Sequence, residues 1–97
     1  MSRIALTVPA DHPAYDGHFP GAPVLPGAIL LDATIGAIEA AERRCAGRWR
    51  VPVVKFLGAV RPGEPLELEF HRLESGAIRF QLHTRGRAVA EGTLNEP

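Results

Sequence analysis

A strongly constrained backbone segment, residues 17–27, stands directly before the most helix-prone stretch of the chain. It contains three prolines and three glycines, and proline fixes its own φ while it biases the preceding residue towards extended conformations. From Gly27 to about Ala46 the sequence turns alanine-rich and loses proline, which predicts a helix of about five turns. Gly47 is a plausible stop for it. The chain must therefore enter one long helix from a rigid loop.

Two titratable residues stand out in this region, one in the loop and one in the helix. His18 lies among the loop glycines and prolines, so we expect its side chain to be held in place. Asp32 follows fourteen positions later, where the helix is apolar on every side apart from Asp32 and Thr34. We expect these turns to be buried, and burying a carboxylate is costly unless the group is paired or used. Together the two residues predict an acid and base pair.

The rest of the chain alternates apolar and polar residues with the period of two that is typical of strands. Turn-forming residues separate these segments at 61–64, at 74–76 and at Arg85-Gly86. The pattern predicts one strand before the loop and four antiparallel strands after the helix, at about 3–8, 51–60, 66–71, 78–83 and 87–94. We therefore predict an α+β fold, a single domain over 1–97 with the helix against one face of an antiparallel sheet of about five strands.

The composition of the chain excludes several classes of binding partner and site. Its 97 residues include 11 basic and 11 acidic ones, and no basic run carries interleaved aromatics, which argues against nucleic-acid binding. No apolar stretch reaches the length of a signal peptide or a membrane span. The single Cys45 excludes an intrachain disulfide, so the default compartment is the cytoplasm. No histidine, cysteine or carboxylate cluster has metal-ligand spacing. A domain this short is expected to need a partner subunit to complete its core.

Two segments resemble one known family. The loop and the start of the helix resemble the active-site signature of the hot-dog-fold 3-hydroxyacyl-acyl carrier protein dehydratases of fatty-acid synthesis, through the run Gly17-His18-Phe19-Pro20-Gly21-x-Pro23-Val24-x-Pro26-Gly27-x-x-x-Leu31-Asp32-Ala33. Later residues resemble the strand elements that follow in that family, Val54-Lys55-Phe56 and Val60-Arg61-Pro62-Gly63-Glu64-Pro65-Leu66. The resemblance implies a curved antiparallel sheet wrapped around the central helix, a dimer with one continuous sheet, and an active site at the dimer interface.

The resemblance also implies a role for the residues of the motif. His18 would take the C2 proton of a 3-hydroxyacyl thioester, and Asp32 of the other chain would act as the acid, directly or through a water, when the 3-hydroxyl leaves. The backbone N–H of Gly27 would bind the thioester carbonyl, where a helix N-terminus offers free N–H groups and the positive end of its dipole. The candidate substrate-binding residues are Gly27, Phe19, Pro20, Gly21 and, one helical turn from Asp32, Gly36.

The activity that follows is dehydration to trans-2-enoyl thioesters by a cytoplasmic homodimer, or a larger assembly of dimers, that needs no cofactor. The thioester would be carried by acyl carrier protein or coenzyme A, in fatty-acid or polyketide and polyene biosynthesis. Much of the family has glutamate where this chain has Asp32, whereas the branch that also isomerises its product has aspartate. Five arginines form a candidate patch for an acidic carrier, although the C-terminus of the helix explains the first two equally well: Arg43, Arg44, Arg48, Arg50 and Arg61.

Simpler interpretations stay open for each of these residues. His18 could bond to backbone carbonyls of its own loop, and Asp32 could cap a loop of a partner strand. Gly27 could serve only as a tight turn, and Gly36, which costs about 1 kcal/mol relative to alanine inside a helix, could make room for a crossing strand. For the whole chain, the alternatives are a hot-dog thioesterase that uses Asp32 to activate water, or a non-catalytic acyl-binding partner subunit.

Overall fold

The computed structural model describes residues 2–6, 27–43, 49–61 and 63–96. These residues form one strand, one helix and four further strands, in the order that the sequence predicts. The elements are β1 (Ser2–Leu6), α1 (Gly27–Glu42), β2 (Arg50–Phe56), β3 (Leu66–Arg72), β4 (Ile78–Thr84) and β5 (Arg87–Asn95).

The described strands form one curved antiparallel sheet in the order β1-β3-β4-β5-β2, which confirms the predicted fold class. Two hairpins make its centre. Between β4 and β5 the loop has only two residues, Arg85 with φ 50° and Gly86 with φ 81°. Two successive left-handed residues define the tight turn whose twist matches that of paired strands. The strands β1 and β2 are left at the two edges of this sheet.

The core lies between the sheet and α1. Alternate residues of β3, β4 and β5 are buried, and they cluster with Leu30 and Ile38 of the helix. Thr34 lies between these two helix residues and is also fully buried. Its hydroxyl donates a hydrogen bond of 2.8 Å to the carbonyl oxygen of Leu30, so the buried oxygen does not lack a partner. The helix thus packs on the sheet through one row of residues spaced by four.

The expected burial of the first helical turns on every side is wrong for the described fold. A row on another side of α1 is exposed, and it consists of Ala28, Asp32, Gly36 and Ala40. The physical reason is geometric, because a single sheet covers only one face of a helix. Apolar composition did not reveal which residues this sheet covers.

Two element ends also differ from the sequence-based expectation. The helix ends at Glu42 rather than near Ala46, because Arg43 takes a left-handed φ of 53° and its amide bonds to Ala40 over a shorter turn. The strand β2 ends at Phe56 rather than near residue 60. The next two amides both donate to the carbonyl oxygen of Val89, at 2.8 Å and 3.4 Å, so the one-to-one pairing of the two strands ends there.

Candidate functional site

The N-terminus of α1 holds two of the predicted site residues. Gly27 is the first residue of the helix, and Asp32 lies five residues further on. That spacing is about 7.5 Å along the helix axis. Side chains of a helix lean towards its N-terminus, so the Asp32 side chain leans towards the turn that precedes it. The other predicted residues of the site, His18, Phe19, Pro20 and Gly21, lie outside the described residues.

The first helical residue is a glycine for a steric reason. A Cβ added to Gly27 would lie 2.8 Å from Cζ, 2.9 Å from Cε2 and 3.0 Å from Cε1 of Phe56. The tip of the phenylalanine ring therefore lies directly against the helix start, where an alanine would displace it. Sequence reasoning assigned Gly27 to a turn or to carbonyl binding and missed this contact. The only signal was the match of Phe56 to a family strand element.

The Asp32 side chain is exposed. Among the described residues, it has no hydrogen bond and no ion pair. Gly36 follows in the same exposed row, and a Cβ added there would meet nothing within 4 Å in the described part of the chain. The interpretation that Gly36 makes room for a crossing strand therefore finds no support in the described fold. The surface around Asp32 is left open by small neighbours.

Glu64 carries a largely buried carboxylate in the loop after β2, and sequence reasoning did not propose it as a site residue. Glu64 is only 14% exposed and accepts a hydrogen bond of 2.7 Å from the amide of Arg61. Its carboxylate oxygens lie 3.6 Å from Nη2 of Arg87 and 3.7 Å from Nε of Arg85. This arrangement ties the loop to the β4–β5 hairpin.

The remaining candidates lie away from the helix start. The described arginines of the candidate carrier patch, Arg43, Arg50 and Arg61, are exposed. His71 and His83 are half-buried on the outer face of the sheet, and Nδ1 of His83 is buried without a hydrogen-bond partner in the described part of the chain. Within residues 2–6, 27–43, 49–61 and 63–96, no group of three or more His, Cys, Asp or Glu side chains could hold a metal ion.

The outer face also carries a groove of about 560 Å³. It is lined in part by Arg3, Glu67, Glu69 and His83, whose positions alternate with the buried positions of their strands. The groove therefore opens on the side of the sheet that faces away from α1. Neither Gly27 nor Asp32 lines it.

In the described part of the chain, helix α1 is too short to cross a membrane.

Comparison with known proteins gives a consistent family. The family model described as ApeI-like, ApeI dehydratase, matches residues 1–93. The 3-hydroxyacyl-acyl-carrier-protein dehydratase FabZ of Thermomicrobium roseum is 34% identical over 95 residues, which cover 90% of this chain and 62% of that protein. FabZ of Methylobacterium radiotolerans is 34% identical over 97 residues, 90% of this chain and 60% of the relative. The chain thus spans about three fifths of the length of these relatives.

Solved structures agree on the fold. The structure described as the dehydratase heterocomplex ApeI:P from Xenorhabdus doucetiae is 25% identical, with a TM-score of 0.73 over 96% of this chain and 83% of that one. The fluoroacetyl-CoA-specific thioesterase FlK is 17% identical, with a TM-score of 0.69 over 97% of this chain and 84% of that one, a likeness of fold alone. With its antiparallel sheet curved around one helix in a hot-dog fold, the chain belongs to the ApeI-like dehydratase family.

Proposed function

We propose that this chain converts 3-hydroxyacyl thioesters, carried by acyl carrier protein, into trans-2-enoyl thioesters in fatty-acid or polyketide and polyene biosynthesis. The observation that carries the proposal is the exposed Asp32 carboxylate, five residues after the first residue of α1. In a 3-hydroxyacyl thioester the carbonyl oxygen on C1 and the hydroxyl on C3 are joined through three carbon atoms. One helix start can therefore serve both groups of one substrate.

The proposed reaction removes one water from the substrate. His18 takes the proton from C2, and the electron pair moves through the enolate to form the C2–C3 double bond as the C3–O bond breaks. Asp32 acts as the acid, directly or through a water: the departing hydroxyl takes up a proton and leaves as water. The proton on His18 then returns to Asp32 through solvent, so the enzyme is regenerated.

Charge that develops on the thioester oxygen needs a donor that is already in place. The first amides of a helix have no intrahelical partner, and the helix dipole adds positive potential there. We infer that the N–H of Gly27 donates to this oxygen. An interaction that strengthens as the enolate forms lowers the barrier rather than the ground state.

We infer further that two protomers complete the site. The strand β2 lies at the sheet edge with its outer backbone unpaired in the described sheet. Three large apolar side chains at and beside this edge are about half exposed, Val53 at 49%, Phe56 at 49% and Leu57 at 52%. An unprotected apolar edge favours pairing with another strand. A second copy, antiparallel along β2, would continue the sheet, and we infer that His18 of one chain works with Asp32 of the other in this dimer.

The test is incubation with a short 3-hydroxyacyl thioester on acyl carrier protein, followed by mass spectrometry of the acyl group. We expect loss of one water with the wild type and about 10²-fold slower loss with His18→Ala. Circular dichroism of both proteins controls for folding. Release of the free acid would indicate that the protein is a thioesterase instead. Dehydration at the wild-type rate by a folded His18→Ala variant would contradict the proposed base.

A second candidate is a partner subunit in a mixed assembly. The chain spans only about three fifths of the FabZ relatives, and the similar ApeI structure is described as a heterocomplex. This candidate predicts that the chain alone binds acyl carrier protein without turnover. Dehydration would then appear only with a second hot-dog subunit, and Asp32→Asn in this chain would leave that activity unchanged. The predicted cytoplasmic location is not tested by these assays and stays a prediction.

A further inference from the structure

We propose that Phe56 is a positioning residue of this site and that its ring holds the Gly27 amide in place. The ring can do so because the loop 57–64 fastens the backbone of Phe56 to the β4–β5 hairpin. The inference rests on the proposed function, in which the Gly27 amide binds the thioester oxygen. It adds a residue that touches no reacting atom and acts through the helix start. Three observations carry it.

The first observation is the contact between the ring and the helix. Phe56 is the last residue of β2, and its register partner in β5 is the buried Ala90. Its side chain therefore points to the same face of the sheet as α1. The ring tip lies so close to Gly27 that a Cβ there would come within 2.8 Å of Cζ. Sheet and helix start are thereby in direct contact through one aromatic side chain.

The second observation is the unusual fastening of the backbone just after the ring. The amides of Leu57 and Gly58 both donate to the carbonyl oxygen of Val89, at 2.8 Å and 3.4 Å. A residue at the end of an edge strand is normally prone to fraying. Here the shared acceptor in β5 fixes the backbone that carries Phe56, so the ring keeps its position although it is half exposed.

The third observation is the set of contacts around Glu64, which closes the loop. Arg87 at the start of β5 donates from Nη2 to the carbonyl oxygen of Ala59 at 2.9 Å, and the same nitrogen lies 3.6 Å from Oε1 of Glu64. That oxygen also accepts from the amide of Arg61 at 2.7 Å. A Cβ on Gly58 would lie 3.0 Å from Nη1 of Arg87, so the guanidinium lies across the loop. Both ends of the segment are therefore held against one hairpin.

The consequence for catalysis follows from the short range of a hydrogen bond. A donor that stabilises developing charge must already lie at the right distance, and a displacement of about 1 Å costs on the order of 10²-fold in rate. The ring also covers one side of the helix start, and the exclusion of water there strengthens the field of its first amides. Since the interaction is realised in the transition state, its loss should lower kcat and leave KM nearly unchanged.

The test measures kcat and KM of the assembled wild-type protein and its variants with the 3-hydroxyacyl carrier-protein substrate. We expect Phe56→Ala to lower kcat by about 10-fold or more, with KM within about threefold. Phe56→Leu, which keeps an apolar side chain over the helix, should recover part of kcat. Arg87→Gln should lower kcat in the same sense. Its matched control is Arg3→Gln, which removes an arginine paired with Glu69 on the outer face and should leave kcat within about twofold.

A double variant tests the contact between Phe56 and Gly27 independently. Gly27→Ala keeps the amide but pushes the ring away, so Gly27→Ala combined with Phe56→Ala should cost no more in kcat than Phe56→Ala alone. Additive losses would overturn the proposal, as would a Phe56→Ala variant with normal kcat or with raised KM only. Sedimentation at the assay concentration distinguishes an assembly defect: a loss that disappears at higher protein concentration assigns Phe56 to the subunit interface instead. A wild-type protein without dehydratase activity would contradict the proposed function itself. An active wild type whose variants keep normal kcat would contradict only the positioning role of Phe56.

Discussion

Gly92 of β5 lies directly against the carbonyl oxygen of Val53 in β2, and a Cβ on this glycine would come within 2.5 Å of that oxygen. The same Cβ would lie 2.9 Å from Cζ of the fully buried Phe80. Neither neighbour can move freely, because one is backbone in a sheet ladder and the other is core. The absence of a side chain at position 92 therefore lets the edge strand β2 pair closely with β5.

We expect Gly92→Ala to destabilise the protein by about 1–3 kcal/mol, the usual cost of forcing extra volume into a packed site. For a domain of this size, each 1 kcal/mol corresponds to a Tm change of roughly 4–8 °C. Thermal unfolding followed by circular dichroism measures this effect. An unchanged Tm would mean that β2 can move away from β5 at no cost.

Gly36 provides the opposite case. It lies inside α1, it is exposed, and a Cβ there would meet nothing within 4 Å in the described fold. Alanine is favoured over glycine in a helix by about 1 kcal/mol, so we expect Gly36→Ala to raise Tm. If the open surface beside Asp32 receives substrate, the added methyl should lower kcat/KM although the protein is more stable. A rise in Tm with normal kcat/KM would contradict a substrate-binding role for Gly36.

Arg72 joins three parts of the fold. Its guanidinium pairs with Glu42 at the end of α1 and with Glu96 after β5, and it donates to the carbonyl oxygen of Gly76 at 2.7 Å. These groups are about one third exposed or less, so solvent screens part of the attraction. We expect Arg72→Gln to cost about 1 kcal/mol and Arg3→Gln, whose arginine is 69% exposed, to cost less than about 0.5 kcal/mol. Equal Tm shifts for the two variants would contradict this ranking, and high salt should reduce the difference.

The sheet could be predicted from sequence because its information is local. In the hairpin of β3 and β4, apolar residues alternate with polar ones and the structure buries the apolar set. The two-residue turn at Arg85 and Gly86 was likewise visible as a break between alternating segments. Gly27 marked the start of the helix because proline is lost after it. Such patterns require no knowledge of distant contacts.

The rest of the site depends on contacts between distant segments. The helix composition is uniformly apolar around Asp32, so it could not show that the sheet covers Leu30 and Ile38 while leaving Asp32 exposed. The contact of Phe56 with Gly27 joins a strand end to a helix start, and no local pattern encodes it. The helix end at Glu42 depends on the left-handed backbone of Arg43, a conformation that sequence rarely predicts for arginine.

The edge strand β2 leads to a prediction about assembly. Val53 is 49% exposed on this strand, and lysine on an edge strand opposes pairing with another sheet. In a dimer with a continuous sheet, Val53→Lys places an added charge on each side of the same joint, and like charges close together destabilise it. We expect this variant to dissociate at higher protein concentration than the wild type in sedimentation velocity. The matched control is Ala5→Lys, also exposed but on the opposite edge strand β1, and equal dissociation of both variants would argue against β2 as the joint.

A site shared between two chains can be tested by complementation. If His18 of one protomer works with Asp32 of the other, His18→Ala and Asp32→Asn are each expected to lose about 10²-fold or more in kcat as homodimers. A mixed dimer contains one site with both substitutions and one site with neither. Mixing the two inactive proteins under conditions of subunit exchange should therefore restore dehydration, with mixed dimers approaching half of the wild-type rate. Native mass spectrometry establishes the exchange, and absent recovery in proven mixed dimers would mean that each active site takes both residues from one chain.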